Sequence, residues 1–116
     1  MKVIHYSEIP PVAIDNETVK NVAGRVLIGK DDGATNFCMR RFEIGPGGFT
    51  PKHSHDWEHE VWVLGGRGEV FIEDQWHALK EGTAVFVPPN VEHQFRNVSG
   101  APFAFLCLVP PQSPEI

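Results

Sequence analysis

Pro51-Lys52-His53-Ser54-His55-Asp56-Trp57-Glu58-His59-Glu60 holds three of the six histidines of the chain. His53 and His55 are two apart, and on a β-strand alternate side chains share a face, so both imidazoles point to the same side. His59 follows four residues later, and a bend through Asp56-Trp57-Glu58 brings its ring onto the same point. Three imidazoles converging over so short a span imply a bound metal ion. Exposed surface histidines or a tag remnant are the plain alternative. Against it, the run continues directly into Glu60-Val61-Trp62-Val63-Leu64, an apolar strand.

Composition bounds what surrounds this stretch. The 116 residues suit one domain with a real core, and 41% hydrophobic content with eight Phe and three Trp supports a packed globule. Ten Pro and eleven Gly are spread along the chain, which favours frequent turns over long helices. The formal charge of −5, with no basic run longer than Arg40-Arg41, argues against nucleic acid and anionic membrane as partners. No apolar run is long enough to span a membrane, and polar residues interrupt Met1–Glu8 too early for a signal peptide, so a cytoplasmic protein is expected. Cys38 and Cys107 each fall inside an expected strand and read as buried, reduced thiols.

Residues 1–21 form an arm without a clean period, carrying Pro10-Pro11, and residues 22–116 are expected to form the single domain. The first strand is Gly24–Gly29, closed by the turn-rich Lys30-Asp31-Asp32-Gly33-Ala34. Asn36–Ile44 is the second, with Cys38, Arg40, Phe42 and Ile44 on one face, and Gly45-Pro46-Gly47-Gly48 breaks the chain after it. Gly65-Gly66-Arg67-Gly68 lacks a following helix and a Lys-Ser/Thr pair, so it reads as a hairpin turn and not a phosphate loop. Glu69–Glu73 and Trp76–Leu79 form a hairpin around Asp74-Gln75. Thr83–Val87 suits a strand covered on both faces. Pro88-Pro89-Asn90 is a corner where Asn takes the left-handed conformation, followed by Val91–Arg96 and a last strand, Pro102–Val109. Short strands separated by frequent turns define an all-β sandwich or small barrel.

His93 lies just past the Pro-Pro-Asn corner. With it the sequence contains two spaced blocks, Gly47-x5-His53-x-His55-x3-His59-x6-Gly66 and Gly82-x5-Pro88-x-Asn90-x2-His93-x3-Asn97. Together they resemble the paired motifs of the cupin family over about residues 40 to 109, and the resemblance is nearest to small single-domain bacterial cupins with four histidine ligands. It implies a double-stranded β-helix, or jelly-roll barrel, and His53, His55, His59 and His93 as ligands of one divalent transition metal per subunit. Manganese is the foremost choice, with iron, nickel, copper and zinc as alternatives. The chain departs from the usual motif in two places. Glu commonly fills the third ligand slot, but the gap to Gly66 places His59 there and not Glu60. Asn90 replaces a usual Gly. Glu60 is left as a possible support for a ligand histidine from behind.

Four neutral imidazoles leave the ion its full charge, and in octahedral geometry two positions stay open for oxygen donors; a tetrahedral zinc would instead be closed and structural. By alternation Phe95 shares a face with His93, and Phe49 and Pro51 share that of His53. The resemblance adds Arg40, Phe42, Phe105 and Cys107 as substrate-pocket residues, each with core packing as its alternative. Arg40 differs from the rest, because a guanidinium facing the lumen needs an anionic partner. His5 and His77 lie outside both blocks, Asp56 and Glu58 belong to a solvated turn, and no catalytic residue is assigned. A metal-dependent oxidoreductase using dioxygen or peroxide on a small organic substrate is the leading reading. A non-catalytic binding or sensing module with a structural metal, and an isomerase or lyase, remain open alternatives. The apolar last strand and the arm both need covering, so a homodimer is expected.

Overall fold

The computed structural model describes residues 1–116. β-branched and aromatic residues, cut at short intervals by Gly, Pro and Asn, build nine strands: β1 (Val12–Ile14), β2 (Lys20–Ile28), β3 (Cys38–Phe49), β4 (His59–Gly65), β5 (Arg67–Ile72), β6 (Gln75–Lys80), β7 (Ala84–Val87), β8 (His93–Arg96) and β9 (Phe103–Val109). They pair antiparallel in the order β6-β5-β8-β3-β9-β4-β7, with β2 and then β1 added beside β3. Strands far apart in sequence are therefore neighbours, and the sheet curls into an all-β double-stranded β-helix.

Alternation fills the interior. On β9 Phe103, Phe105, Cys107 and Val109 are buried, while Leu106 and Leu108 face outward and are only half-buried. Ile44, Val63, Val70, Val87 and Phe95 complete much of the core. Each large apolar side chain removed from water contributes about 1.5–3 kcal/mol. The Phe103 ring lies so close to Gly68 that any side chain there would overlap it, and a Cβ on Gly66 would strike the Pro102 carbonyl. Gly66 also has φ +77°, so both backbone conformation and space require glycine.

Several local expectations are corrected. Gly65–Gly68 is not a hairpin turn, because β4 pairs with β7 and β9 while β5 pairs with β6 and β8. The glycines instead carry the chain from one part of the curled sheet to the other. Gly45–Gly48 does not end the second strand; β3 runs through it with a register shift against β2, centred on Asn21 at φ 54°. The β5–β6 turn is Glu73-Asp74, both at positive φ as a two-residue hairpin requires. β7 is an edge strand with Phe86 55% exposed, not one covered on both faces. The arm is partly strand, since β1 and the start of β2 fall within residues 1–21. Its Tyr6 ring lies under the guanidinium of Arg41, 4.0 Å from its centroid, and Arg25 donates to the Ile9 carbonyl.

Asn97, the last residue of the second block, is 1% exposed. Its Nδ2 donates to the carbonyls of Ile44 (2.8 Å) and Ala101 (2.7 Å), and its Oδ1 accepts from Ser99 N. Ile44 is fully buried, so its carbonyl has no solvent to replace the amide. Asn97→Ala is expected to destabilise the fold by roughly 2–3 kcal/mol, read from urea unfolding. A loss below about 0.5 kcal/mol, the size of an ordinary surface change, would refute this role.

Candidate metal centre and cavity

The two sequence blocks meet through backbone hydrogen bonds. His53 N donates to His93 O (3.1 Å) and His93 N to His53 O (2.9 Å), forming an isolated antiparallel bridge. Asn90, at φ 65°, donates to His55 O at 2.7 Å. One step along, Thr50 N donates to Phe95 O and Phe95 N to Thr50 Oγ1, both at 2.9 Å. The Pro88-Pro89-Asn90 corner thus aligns β8 against the segment that carries the first histidines. That segment is a loop with a single bridge, not the expected regular strand.

Convergence holds nonetheless. Ring centroids are 5.0 Å apart for His53–His55 and His53–His93, 4.9 Å for His55–His93, 4.6 Å for His55–His59 and 5.1 Å for His59–His93. Ligand nitrogens of His53, His55 and His93 all lie within 4.8 Å of one another, so these three are placed to hold a metal ion. His59 takes a different posture: its Nε2 is 2.8 Å from Nε2 of His55, a hydrogen bond between rings.

The outer nitrogens decide the tautomers. Nδ1 of His55 donates to Trp57 O (2.8 Å) and Nδ1 of His93 to Val91 O (2.9 Å), leaving both Nε2 lone pairs turned toward the cluster. His59 Nδ1 faces Cys107 Sγ at 3.1 Å and Arg40 Nη2 at 3.4 Å. With the guanidinium as a donor there, the proton of His59 sits on Nε2 and is shared with His55. Ligation by His59 Nε2 requires that proton to move to Nδ1, where Cys107 Sγ, 3.1 Å away, is positioned to accept a hydrogen bond from it. Trp57 stacks on His55 at 4.0 Å and 8°, fixing its ring plane. Glu60 does not support a ligand: it is exposed on the opposite face of β4 from buried His59.

Burial keeps the rings neutral. His59 (8% exposed) is pushed down to about 2, first by burial, then by the Arg40 charge and the neighbouring imidazoles. His53 is lowered to about 4, by partial burial and then by His93 and His55. Burial likewise lowers His55 and His93, partly offset by their carbonyl acceptors.

The histidines form part of the wall of a cavity of about 350 Å³. Arg40, Phe42, Phe95, Phe105 and Cys107 all line it, with Pro51. Phe49 does not. Sequence reading missed Trp57, treated there only as a bend, and the apolar contributions of Ile14, Val19, Val22, Pro114 and Ile116. Chain alternation carries no signal for residues that reach the cavity from the arm and tail. His77 is exposed on β6, and His5 caps the turn Tyr6–Glu8. Cys38 and Cys107 are free and buried.

A curled antiparallel sheet with a histidine cluster opening on its interior defines a cupin barrel, and residues 40–109 match the cupin domain family; the chain belongs to it. The polyketide cyclase RemF from Streptomyces resistomycificus superposes with a TM-score of 0.92 at 33% identity, covering 98% of this chain and 82% of that one. Protein SchB of Streptomyces halstedii is 26% identical over 98% of this chain and 80% of its own length. The 1-methylthio-D-xylulose 5-phosphate methylsulfurylase of Rhodospirillum rubrum is 35% identical over 61% of this chain, and the match spans 46% of that relative's length. No helix is long and apolar enough to cross a membrane.

The lowered histidines make a pH prediction for protein stripped of metal by chelation. Each has an ordinary value of 6.5 when unfolded and a lower one when folded, so the unfolded chain binds more protons in the interval between. Stability from these residues is complete above about pH 6.5 and is lost as pH falls toward 4. Thermal melts should show a plateau above that range and a decline below it, shallower in His59→Asn. A melting temperature that rises on acidification would contradict the neutral cluster.

Proposed function

We propose that this cupin is a metal-dependent enzyme that binds one divalent transition-metal ion through His53, His55, His59 and His93 and acts on a planar organic molecule. The observation that carries this reading is the opening of the histidine cluster into a single, mainly aromatic and aliphatic cavity of about 350 Å³. The donor set fits such an ion, because the lone pairs of His55 and His93 are oriented by backbone carbonyls. His59 becomes the fourth ligand once its shared proton moves to Nδ1. Manganese is our first assignment, with iron, nickel, copper and zinc behind it.

Cyclisation is the reaction class we place first. RemF is named a polyketide cyclase, and its likeness to this chain covers 98% of this chain and 82% of RemF. Phe42, Phe95 and Phe105 line the space as flat walls that orient a planar chain and exclude water. No carboxylate side chain lines the cavity. With the four imidazoles engaged by the ion, a proton taken from a substrate carbon has Cys107 Sγ and Thr50 Oγ1 as side-chain acceptors in the wall. A divalent ion held by the histidines supplies a Lewis acid that polarises a carbonyl.

A dioxygen- or peroxide-using oxidoreductase is the second reading. The all-imidazole donor set favours it, since neutral ligands leave the ion's charge uncompensated.

Untagged protein is expected to carry close to one metal ion per chain, and His59→Ala and His93→Ala each to weaken metal affinity by roughly tenfold or more. Elemental analysis and competitive chelator titration check this. Absence of metal at every pH from neutral to mildly acid removes both readings. With a poly-keto substrate, turnover under nitrogen supports cyclisation, and stoichiometric oxygen uptake supports the second reading. Binding without turnover would leave a non-catalytic module.

We further propose a homodimer and a cytoplasmic location, the latter in keeping with two reduced, buried thiols. Across the outer face of β7, β4 and β9 the register sets Ala84, Trp62 and Leu106 in one row and Phe86, Glu60 and Leu108 in the next. Trp62 is 49% exposed and Phe86 55%. A second copy covering this face buries both rings. Sedimentation should give a dimer for the native chain and a monomer for Trp62→Glu; a native monomer at high concentration would refute it.

A further inference from the structure

Arg40 carries the only charged side chain lining the cavity. It is 8% exposed, and none of the four ion pairs in the structure includes it. Its Nη2 donates to Cys107 Sγ at 3.0 Å and lies 3.4 Å from His59 Nδ1, while Nε is buried without a partner and Nη1 makes no hydrogen bond within the chain. Guanidinium remains protonated under all ordinary conditions, so this is a permanent buried charge. The compensation on hand is weak: a thiol, one ring nitrogen and the Phe42 ring 4.9 Å from Cζ. Burying an unpaired charge is costly, and such a group is retained where something outside the chain completes it. Acidic side chains outnumber basic ones fifteen to ten, yet none lines this cavity. A positive interior in an acidic protein, walled by aromatic rings, is complementary to a flat anion.

We propose that the cavity selects an aromatic or poly-keto carboxylate and that Arg40 binds the carboxylate group. This rests on reading the cavity as a substrate site and adds its substrate class. Nη1 offers its hydrogens to the ligand while Cys107 Sγ holds Nη2 in place. The carboxylate is thereby fixed on the β3–β9 wall, leaving the remainder of the molecule to lie along Phe42, Phe95 and Phe105. A charge-assisted pair in so dry a site discriminates strongly against the neutral analogue.

The test uses 1-naphthoate and its neutral counterpart, 1-naphthalenemethanol, titrated by calorimetry into native protein, Arg40→Met and Arg40→Lys, each both chelator-treated and manganese-loaded. The expected result is naphthoate bound roughly tenfold or more tighter than the alcohol by chelator-treated native protein. That preference should vanish in Arg40→Met and be partly kept in Arg40→Lys, with alcohol affinity the same in all three. The comparison of two ligands on native protein stands even if a variant folds poorly. Equal binding of both ligands by native protein overturns the role of Arg40 and leaves the cavity reading intact. A preference present only with manganese assigns it to the ion and also overturns the proposal. If neither ligand binds native protein, the cavity reading itself fails together with this one.

Discussion

The reciprocal hydrogen bonds between His53 and His93 are the contact on which the site depends. Each residue donates to and accepts from the other, so the backbone pairing that joins the two halves of the barrel also sets two imidazoles side by side. Asn90 adds a third bond, to the carbonyl of His55, from a corner that two prolines hold stiff. Placement of the imidazoles is therefore a consequence of strand pairing. A shift of register by one residue would turn His93 out of the barrel and Phe95 with it.

Electrostatics follow from that geometry. Four rings crowded into a partly dry space disfavour protonation of any one of them, and the Arg40 charge beside His59 adds to the effect. The cluster is thus prepared as a set of neutral donors. The same dryness leaves Arg40 short of partners, so the histidine cluster and the proposed substrate wall are best considered together: both face the one cavity. Cys107 links them, touching Arg40 Nη2 and His59 Nδ1 from a single sulfur.

Much of this was readable in the residues, for identifiable reasons. Histidine spacing and the Pro-Pro-Asn corner are local chemistry, and they marked the rings that converge. Two-residue alternation put Cys38, Arg40, Phe42 and Ile44 on one face of β3, and the family resemblance chose that face as the inner one. On β9 alternation was silent, because every residue from Phe103 to Val109 is apolar, and only the curl of the sheet tells inside from outside. Gly65–Gly68 misled for a related reason: glycine signals a change of direction but not which strands pair after it. Trp57 and the residues of the arm and tail reach the cavity through tertiary placement, for which no periodic signal exists. Glu60 followed His59 closely enough to suggest support, yet adjacent residues on a strand face opposite ways.

The central claim is that the four imidazoles share one ion. X-ray absorption at the metal edge of manganese-loaded protein measures this directly, because imidazole rings give a multiple-scattering signature that can be counted. The account predicts a six-coordinate ion with four imidazole nitrogens and two oxygen donors. A spectrum with no imidazole scattering, or one fitted by three or fewer imidazoles, would contradict it.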